Sequence, residues 1–325
     1  MDKRDVIAIG GSLGAIEAVK QLCRDLPADL AATMFIVIHI GAHGMNRLAD
    51  IFGAQSAFPV TTAVHGERLQ RGHAYVAPAD HHLLVIDGVA ILGRGPRENM
   101  ARPAIDPLFR SVAMSYGPRA IAVVLTGMLN DGAAGLADVK RCGGTTVVQN
   151  PADALAADMP WGALLGSDVD HRAPLSQMAA LLTRLSAQEA GPPVPVPAEV
   201  RIEVDIALGR VTGTQTLASI SDPVGLSCPA CGGILSQVRR SSPLRFRCQV
   251  GHGYTAESLA TEKEESVDEA LRVALRIMEE RALLTQKMAD EARGAGREAT
   301  AASYSERSRE SRAYADILKR GIEKM

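Results

Sequence analysis

Short, mostly apolar runs recur through residues 1–188, several stopped by a glycine or a polar turn and followed by a segment of helical spacing. Val6–Ile9 runs into Gly10-Gly11, and the pattern from Ala15 to Leu26 predicts a helix. Met34–Ile40, Ala120–Leu125 and Thr145–Gln149 repeat the strand signal, with helical segments expected from Arg47 and over Ala133–Cys142. A strand that is apolar throughout is covered on both faces, which is the condition of a parallel sheet. Alternation with helices therefore predicts an α/β fold with a doubly wound, mostly parallel sheet. Leu83–Ile86 and Ala90–Leu92 flank Asp87-Gly88, a tight hairpin signal that predicts an antiparallel edge. Asp106 is expected to cap a helix opening at Pro107.

The 325 residues are 46% hydrophobic and 22% charged, enough for a packed core and against a disordered chain. Lys plus Arg number 35 against 37 acidic residues, a net charge of −2, and aromatics are 3%. That balance argues against nucleic acid as a partner and against an anionic membrane surface. The apolar run Leu30–Ile38 is about half the ~18 residues of a membrane span, so no membrane insertion and a cytoplasmic location are expected. Early glycines interrupt any signal-peptide core.

Beyond residue 188 the composition changes. Ala190–Ala198 holds four prolines in nine residues, an extended semi-rigid linker, and a short strand or two is expected over Val200–Ser221. Four segments follow: 1–188 as an α/β domain, 189–222 as linker and short strands, 223–256 as a ribbon-like module and 257–325 as an antiparallel helical pair. In the last, Val267, Leu271, Ala274, Leu275 and Met278 recur at helical spacing, and Gly294 and Gly296 break the pattern. The stripe serves to pack the pair on itself, or to contact a partner helix.

Three polar residues stand at expected strand ends. Gly10-Gly11-Ser12-Leu13-Gly14 matches a G-x-S-x-G turn, whose small neighbours expose a serine hydroxyl and whose next N–H can face an oxyanion. By itself the pentapeptide also fits a glycine turn that lets a helix pack on a sheet. His39 closes the second strand and Asp131 follows Ala120–Leu125. A serine nucleophile needs such a base and such a carboxylate, and parallel sheets gather them beyond their carboxyl ends. Each has a plainer use, His39 as a satisfied strand-end histidine and Asp131 as a helix cap. His43, His65, His73, His81 and His82 are read as solvated loop residues, and Cys23 and Cys142 as packing residues.

Together these segments resemble the catalytic domain of the chemotaxis receptor methylesterases. The likeness covers roughly residues 4–185 and rests on six stretches in register: VIAIGGSLGAIEAV, FIVIHI, GERLQRGHAYVAPADHHLLV, GPRENMARPAIDPLFRSVA, VVLTGMLNDGAAGL and VVQNPADA. The resemblance implies a serine hydrolase that demethylates glutamate methyl esters on chemoreceptor-like proteins, releases methanol, and in some members deamidates glutamine. It assigns Ser12 as nucleophile, His39 as general base and then acid, and Asp131 as the orienting carboxylate. The backbone N–H groups of Leu13 and Met128 would form the oxyanion hole, Asn99 and Arg102 would meet substrate (Arg102 alternatively as a structural ion-pair partner), and no catalytic cofactor is needed. Leu13 departs from the family's usual threonine, which bears on substrate preference. Well-known members carry an N-terminal receiver domain, whereas this sequence opens at the catalytic strand. Activity independent of a phosphodonor is therefore expected, and strong stimulation by acetyl phosphate would contradict it. A non-catalytic signalling adaptor that uses the same fold for docking is the alternative.

Cys228-Pro229-Ala230-Cys231 and Cys248-Gln249-Val250-Gly251-His252 supply three thiolates and one imidazole at the spacing of a structural zinc site. Arg239, Arg240, Arg245 and Arg247 give the same ribbon a basic face, read as solvated.

Overall fold

The computed structural model describes residues 2–41, 46–210 and 213–324. His43 lies outside them. The elements run β1 (Val6–Gly11), α1 (Ala15–Asp25), β2 (Thr33–Ile38), α2 (Leu48–Gly53), β3 (Val60–Thr62), β4 (Ala74–Val76), β5 (His82–Ile86), β6 (Val89–Gly93), α3 (Ile105–Tyr116), β7 (Ala120–Val124), α4 (Ala133–Arg141), β8 (Thr145–Gln149), α5 (Asp158–Gly166), β9 (His171–Ala173) and α6 (Leu175–Ser186). Seven strands form one sheet in the order β3-β4-β2-β1-β7-β8-β9, every pair parallel.

Strand alternation splits the core into two layers. Ile7, Ile9, Met34, Ile36, Ile121 and Val123 face one cluster with α1, α2 and α6, while Val6, Ala8, Phe35, Val37, Ala122 and Val124 face the other with α3, α4 and α5. The strands are apolar on both sides because both sides are roofed by helices.

The antiparallel pair β5–β6 turns at Asp87-Gly88, both with positive φ, and forms a separate two-stranded sheet. It lies on α3, where Val85 N–H donates to Ser111 Oγ and Ser115 Oγ donates to Val85 O. His82, expected in solvent, is fully buried on β5. Its ring nitrogens engage Pro96 O and the N–H of Ala104, and burial holds its pKa below the ordinary value. Asp106 is not a cap, because α3 begins one residue earlier and Ala104 holds the cap position. Its carboxylate instead accepts N–H bonds from Gly135 and Asn99.

The linker is followed by helices rather than strands. Ala198–Ala207 is α7 and Thr214–Ile220 is α8. Val200, Val204 and Ala207 recur at helical spacing and are buried, α7 lying against the β5–β6 pair beside Leu84. The ribbon is a four-stranded antiparallel sheet, β10 (Ser221–Ser227), β11 (Ile234–Val238), β12 (Arg245–Cys248) and β13 (Gly253–Thr255), and belongs to the same compact unit, Met1–Leu259, as the large sheet.

Arg245 and Arg247 do not form a solvated basic face. Both are buried. Arg245 forks onto the two Glu203 oxygens at 2.6 and 2.9 Å, and Arg247 reaches Glu98 at 2.6 Å. Arg110 of α3 joins them, 2.6 Å from Glu98, 2.9 Å from Glu203 and 3.1 Å from Asp138. The ribbon's own core is Cys228, Leu235, Phe246, Cys248, Tyr254 and Leu259. So small a module lacks the buried surface to fold alone, and the ion cluster fastens it to α3 and α7.

The second unit, Ala260–Met325, holds most of α9 (Ala256–Gly294) and all of α10 (Glu298–Ile322). Ala282, Thr285, Ala289 and Ala292 of α9 and Ala301, Ser308, Ser311 and Ala315 of α10 are buried, and Ser308 Oγ donates to Ala282 O. Small side chains thus allow close packing of the pair. Among the described residues no helix is long and apolar enough to cross a membrane.

Burial raises the Glu203 carboxyl, but the charges of Arg110, Arg245 and Arg247 outweigh it and hold it down at about 2. A depressed carboxylate stabilises the fold fully above its unfolded value and ceases to do so as pH falls through the folded value. Thermal midpoints should therefore drop as pH falls from about 4.5 toward 2. Glu203→Gln leaves three buried guanidiniums short of a partner and should cost ~3–5 kcal/mol in urea unfolding at pH 7. A loss under ~1 kcal/mol would mean that the cluster does not hold the ribbon.

Candidate active site

Parallel pairing of β1 with β2 and β7 brings the candidate residues to one edge. Gly11 pairs with Ile38, so Ser12 and His39 follow side by side, and the His39 N–H donates to Gly11 O at 3.2 Å. Ser12 N–H donates to Thr126 O at 3.0 Å, tying the turn to the segment after β7. Helix α1 starts three residues beyond Ser12, so the positive end of its dipole lies at the hydroxyl.

His39 Nε2 lies 2.7 Å from Asp131 Oδ2. The same oxygen accepts the Ile105 N–H at 2.6 Å, and Oδ1 accepts Asn99 Nδ2 at 2.9 Å and the Asp106 N–H at 3.3 Å. Burial pushes Asp131 upward, but the His39 bond and charge, the Ile105 amide and the Asn99 side chain outweigh it and hold the carboxyl below its ordinary value. An ionised Asp131 selects the tautomer with the proton on Nε2, which leaves Nδ1 as the basic nitrogen. Burial first and the Asp131 charge second push the adjacent Asp106 up to about 7. The Ser12 hydroxyl makes no hydrogen bond to another described residue. Nucleophile–base bonds commonly tighten only with substrate in place.

Leu13 and Met128 flank this edge with side chains 52% and 55% exposed, a small apolar rim at the mouth of the site. Gly127 makes the approach of the two loops possible: a Cβ there would lie 2.8 Å from Met159 Sδ and 3.0 Å from Ser12 Cβ. Asn99 and Arg102 are committed to the protein. Asn99 is buried, with its amide between Asp131 and Asp106. Arg102 Nη2 and Nε hold Asp80 at 2.6 and 3.0 Å, and Nη1 donates to Gly95 O.

Cys228, Cys231, Cys248 and His252 converge, with all ligand atoms within 4.8 Å of one another. The Cys231 and Cys248 sulfurs are 3.7 Å apart, and His252 Nδ1 lies 3.5 Å from Cys248 Sγ and 3.8 Å from Cys228 Sγ. A tetrahedron with Zn–S of about 2.3 Å and Zn–N of about 2.0–2.1 Å has edges of about 3.8 and 3.6 Å, so the donor set fits that metal geometry. Cys23 and Cys142 are buried apart from it, and burial pushes their thiols up to about 12 and about 11.

The sequence reading did not reach Asn130, Thr255 and Ser258. Thr255 N–H and Ser258 Oγ both donate to Asn99 Oδ1, and Thr255 Oγ1 donates to Asn130 Oδ1. Only adjacency to Asp131 marks Asn130 in the sequence; the other two lie more than a hundred residues away with no local motif.

An open parallel sheet with polar side chains gathered past the carboxyl ends of its central strands defines the class, an α/β protein with its site at the strand termini. The family model described as CheB methylesterase matches residues 7–182, and the chain belongs to that family. A protein-glutamate methylesterase/protein-glutamine glutaminase of Xanthomonas euvesicatoria is 38% identical over 187 residues, 56% of this chain and 52% of that protein. One from Methanosarcina mazei is 33% identical over 190 residues, 56% of this chain and 52% of that protein. The crystal structure of the Thermotoga maritima CheB methylesterase catalytic domain superimposes with a TM-score of 0.54 at 28% identity, over 57% of this chain and 99% of that one. The chain spans about half the length of the curated relatives it matches. The ribbon and helical pair lie beyond the residues that the family model matches.

Gly10 lies against Ile105, the residue whose N–H reaches Asp131, and a Cβ on it would stand 2.2 Å from Ile105 Cγ2. Gly10→Ala should overpack this contact and cost ~1–3 kcal/mol in urea unfolding. An unchanged midpoint would show that Ile105 moves aside freely.

Proposed function

We propose that Ser12, His39 and Asp131 form a catalytic triad that hydrolyses glutamate methyl esters on receptor-like signalling proteins. The observation that carries the reading is the His39–Asp131 bond at 2.7 Å, made beside a serine that the β1–β2 register sets next to the same histidine. The relatives, named protein-glutamate methylesterase/protein-glutamine glutaminase, support the same substrate class.

In this reading His39 Nδ1 takes the Ser12 proton as Oγ attacks the ester carbonyl. The N–H groups of Leu13 and Met128 receive the oxyanion, helped by the α1 dipole. Collapse expels the methoxy group, which His39 protonates to methanol. Water then attacks the acyl-enzyme by the same route, freeing the glutamate carboxylate and restoring Ser12. Asp131 holds the Nε2 proton and stabilises the imidazolium. The same steps on glutamine would release ammonia, and no step calls for a cofactor. The exposed Leu13 and Met128 side chains suit a protein surface as substrate, and a methylated chemoreceptor or receptor-like protein is the partner proposed. The solvent-facing Val267 and Ile277 of the helical pair offer a second, helix-matched contact.

We also infer a structural zinc on Cys228, Cys231, Cys248 and His252. Four protein donors fill a tetrahedral shell and leave no open position for chemistry. Asn99 and Arg102 are assigned to positioning and loop structure in preference to substrate contact, since their donors are already engaged.

Methanol release from a methylated receptor fragment tests the first reading. Ser12→Ala should lower kcat by ~10³-fold or more while the thermal midpoint holds; equal rates would remove Ser12 as the nucleophile. Metal analysis tests the second. Purified protein should carry a single zinc, and Cys231→Ser, at the exposed ligand, should lose it and unfold at lower temperature.

A further inference from the structure

The cysteine–histidine ribbon touches the candidate site through a short chain of bonds that begins one residue from a metal ligand. After His252, Gly253 N–H donates to Arg97 O at 3.2 Å and Gly253 O accepts the Asn99 N–H at 2.8 Å. Two residues on, Thr255 N–H donates to Asn99 Oδ1 at 2.9 Å, and Ser258 Oγ donates to the same oxygen at 3.0 Å. Both acceptor positions of the Asn99 amide oxygen are thereby filled, one from β13 and one from the first turn of α9 that continues it. That orients its NH₂ onto the carboxylates, 2.9 Å from Asp131 and 3.1 Å from Asp106. The Asn99 backbone sits at φ 47°, a left-handed conformation that costs free energy unless its surroundings fix it. Thr255 Oγ1 also donates to Asn130 Oδ1 at 2.5 Å, so the ribbon grips the residue before Asp131 as well.

We propose that the cysteine–histidine ribbon is a positioning clamp for Asp131, acting through Thr255, Ser258 and Asn99, so that metal occupancy of the ribbon sets the turnover of the catalytic site. The inference rests on the triad and zinc readings above. The physical logic is that of outer-shell partners that fix a functional group by hydrogen bonding. The ribbon's six-residue core cannot hold β13 rigid alone. A tetrahedral metal on Cys228, Cys231, Cys248 and His252 pins the turn that leads into β13, and with it the donors to Asn99. If metal is lost, β13 loosens and with it the start of α9 that follows directly, Asn99 loses its Thr255 and Ser258 donors, and Asp131 keeps only His39 and the backbone amides. The carboxylate then no longer holds His39 in one orientation. Cys231 is exposed, which gives a chelator or thiol reagent a route to the cluster.

The test uses the full chain with two readouts: the rate at which a fluorophosphonate probe labels Ser12, and kcat and KM for methanol release from a methylated receptor fragment. Ser12→Ala is the labelling control and bound zinc is measured in every sample. Ser258→Ala, which removes an Asn99 donor, and Thr255→Val, which keeps the Thr255 N–H bond to Asn99 but removes the hydroxyl bonded to Asn130 and Ser258, should each keep zinc and a thermal midpoint within a few degrees, with labelling and kcat down about tenfold and KM unchanged. Thr255→Ser should restore the rate that Thr255→Val loses, which a general packing defect would not allow. Cys231→Ser should lose zinc and slow to a similar degree, and the pair combined should be no slower than the slower single variant. Parental rates in folded Ser258→Ala, in folded Thr255→Val and in zinc-free Cys231→Ser would overturn the proposal. Equal labelling in Ser12→Ala would fail the triad reading instead. Purified protein without zinc, with Thr255→Val still slow, would overturn the metal dependence and leave the ribbon as the clamp.

Discussion

Everything at the candidate site depends on the parallel pairing of β1 with β2 on one side and β7 on the other. Parallel strands end on the same side of a sheet, so residues far apart in sequence are delivered to one edge without a dedicated loop. The pairing of Gly11 with Ile38 sets Ser12 beside His39, and Thr126 after β7 accepts the Ser12 N–H. The constraint extends into the core, because Gly10 must have no side chain for Ile105 to approach, and Ile105 in turn presents its N–H to Asp131. Strand register, helix start and carboxylate position are one connected arrangement.

The second determinant is the buried cluster of Arg110, Arg245 and Arg247 with Glu98, Glu203 and Asp138. Burying so many charges is expensive, and the cost is offset because the guanidinium nitrogens other than Arg110 Nη2 and Arg247 Nε each hydrogen-bond an oxygen. Removing one partner leaves the others stranded. The ribbon is therefore committed to the α/β domain, and the segment Arg97–Asn99 lies between the cluster and the carboxylate that faces His39. Asp106, neighbour to both Asp131 and Arg110, is raised to about 7 by burial first and by the Asp131 charge second, against the pull of Arg110.

Much of this was legible before any coordinates. Apolar runs ending in Gly10-Gly11 and at Ile40 marked the central strands, and Asp87-Gly88 marked a turn that does adopt two positive φ angles. Ser12, His39 and Asp131 stood out because strand ends in parallel sheets are where polar residues do chemistry. The rest has two causes: a deciding partner outside the local segment, and a weak periodicity in the segment after the prolines. His82 looks like a loop histidine until Pro96 and Ala104 close over it. Arg245 and Arg247 look like surface charge until Glu203 and Glu98 meet them. The segment after the prolines read as strand because its alternation was weak, although Val200, Val204 and Ala207 carried helical spacing.

The sequence by itself determined the local alphabet of the molecule: which segments form the central strands, where the glycine turn around Ser12 falls, and that the paired cysteines and the C-terminal Cys-x-x-x-His could face one another. Those properties follow from side-chain periodicity, glycine placement and short-range spacing. Only the tertiary structure decided that the ribbon leans on Asn99, that Asn99 faces Asp131 and that Asp131 meets His39 at 2.7 Å. Hydrogen bonds and ion pairs between residues 32 to 156 positions apart are fixed by how whole elements pack, and no periodicity within either segment records them.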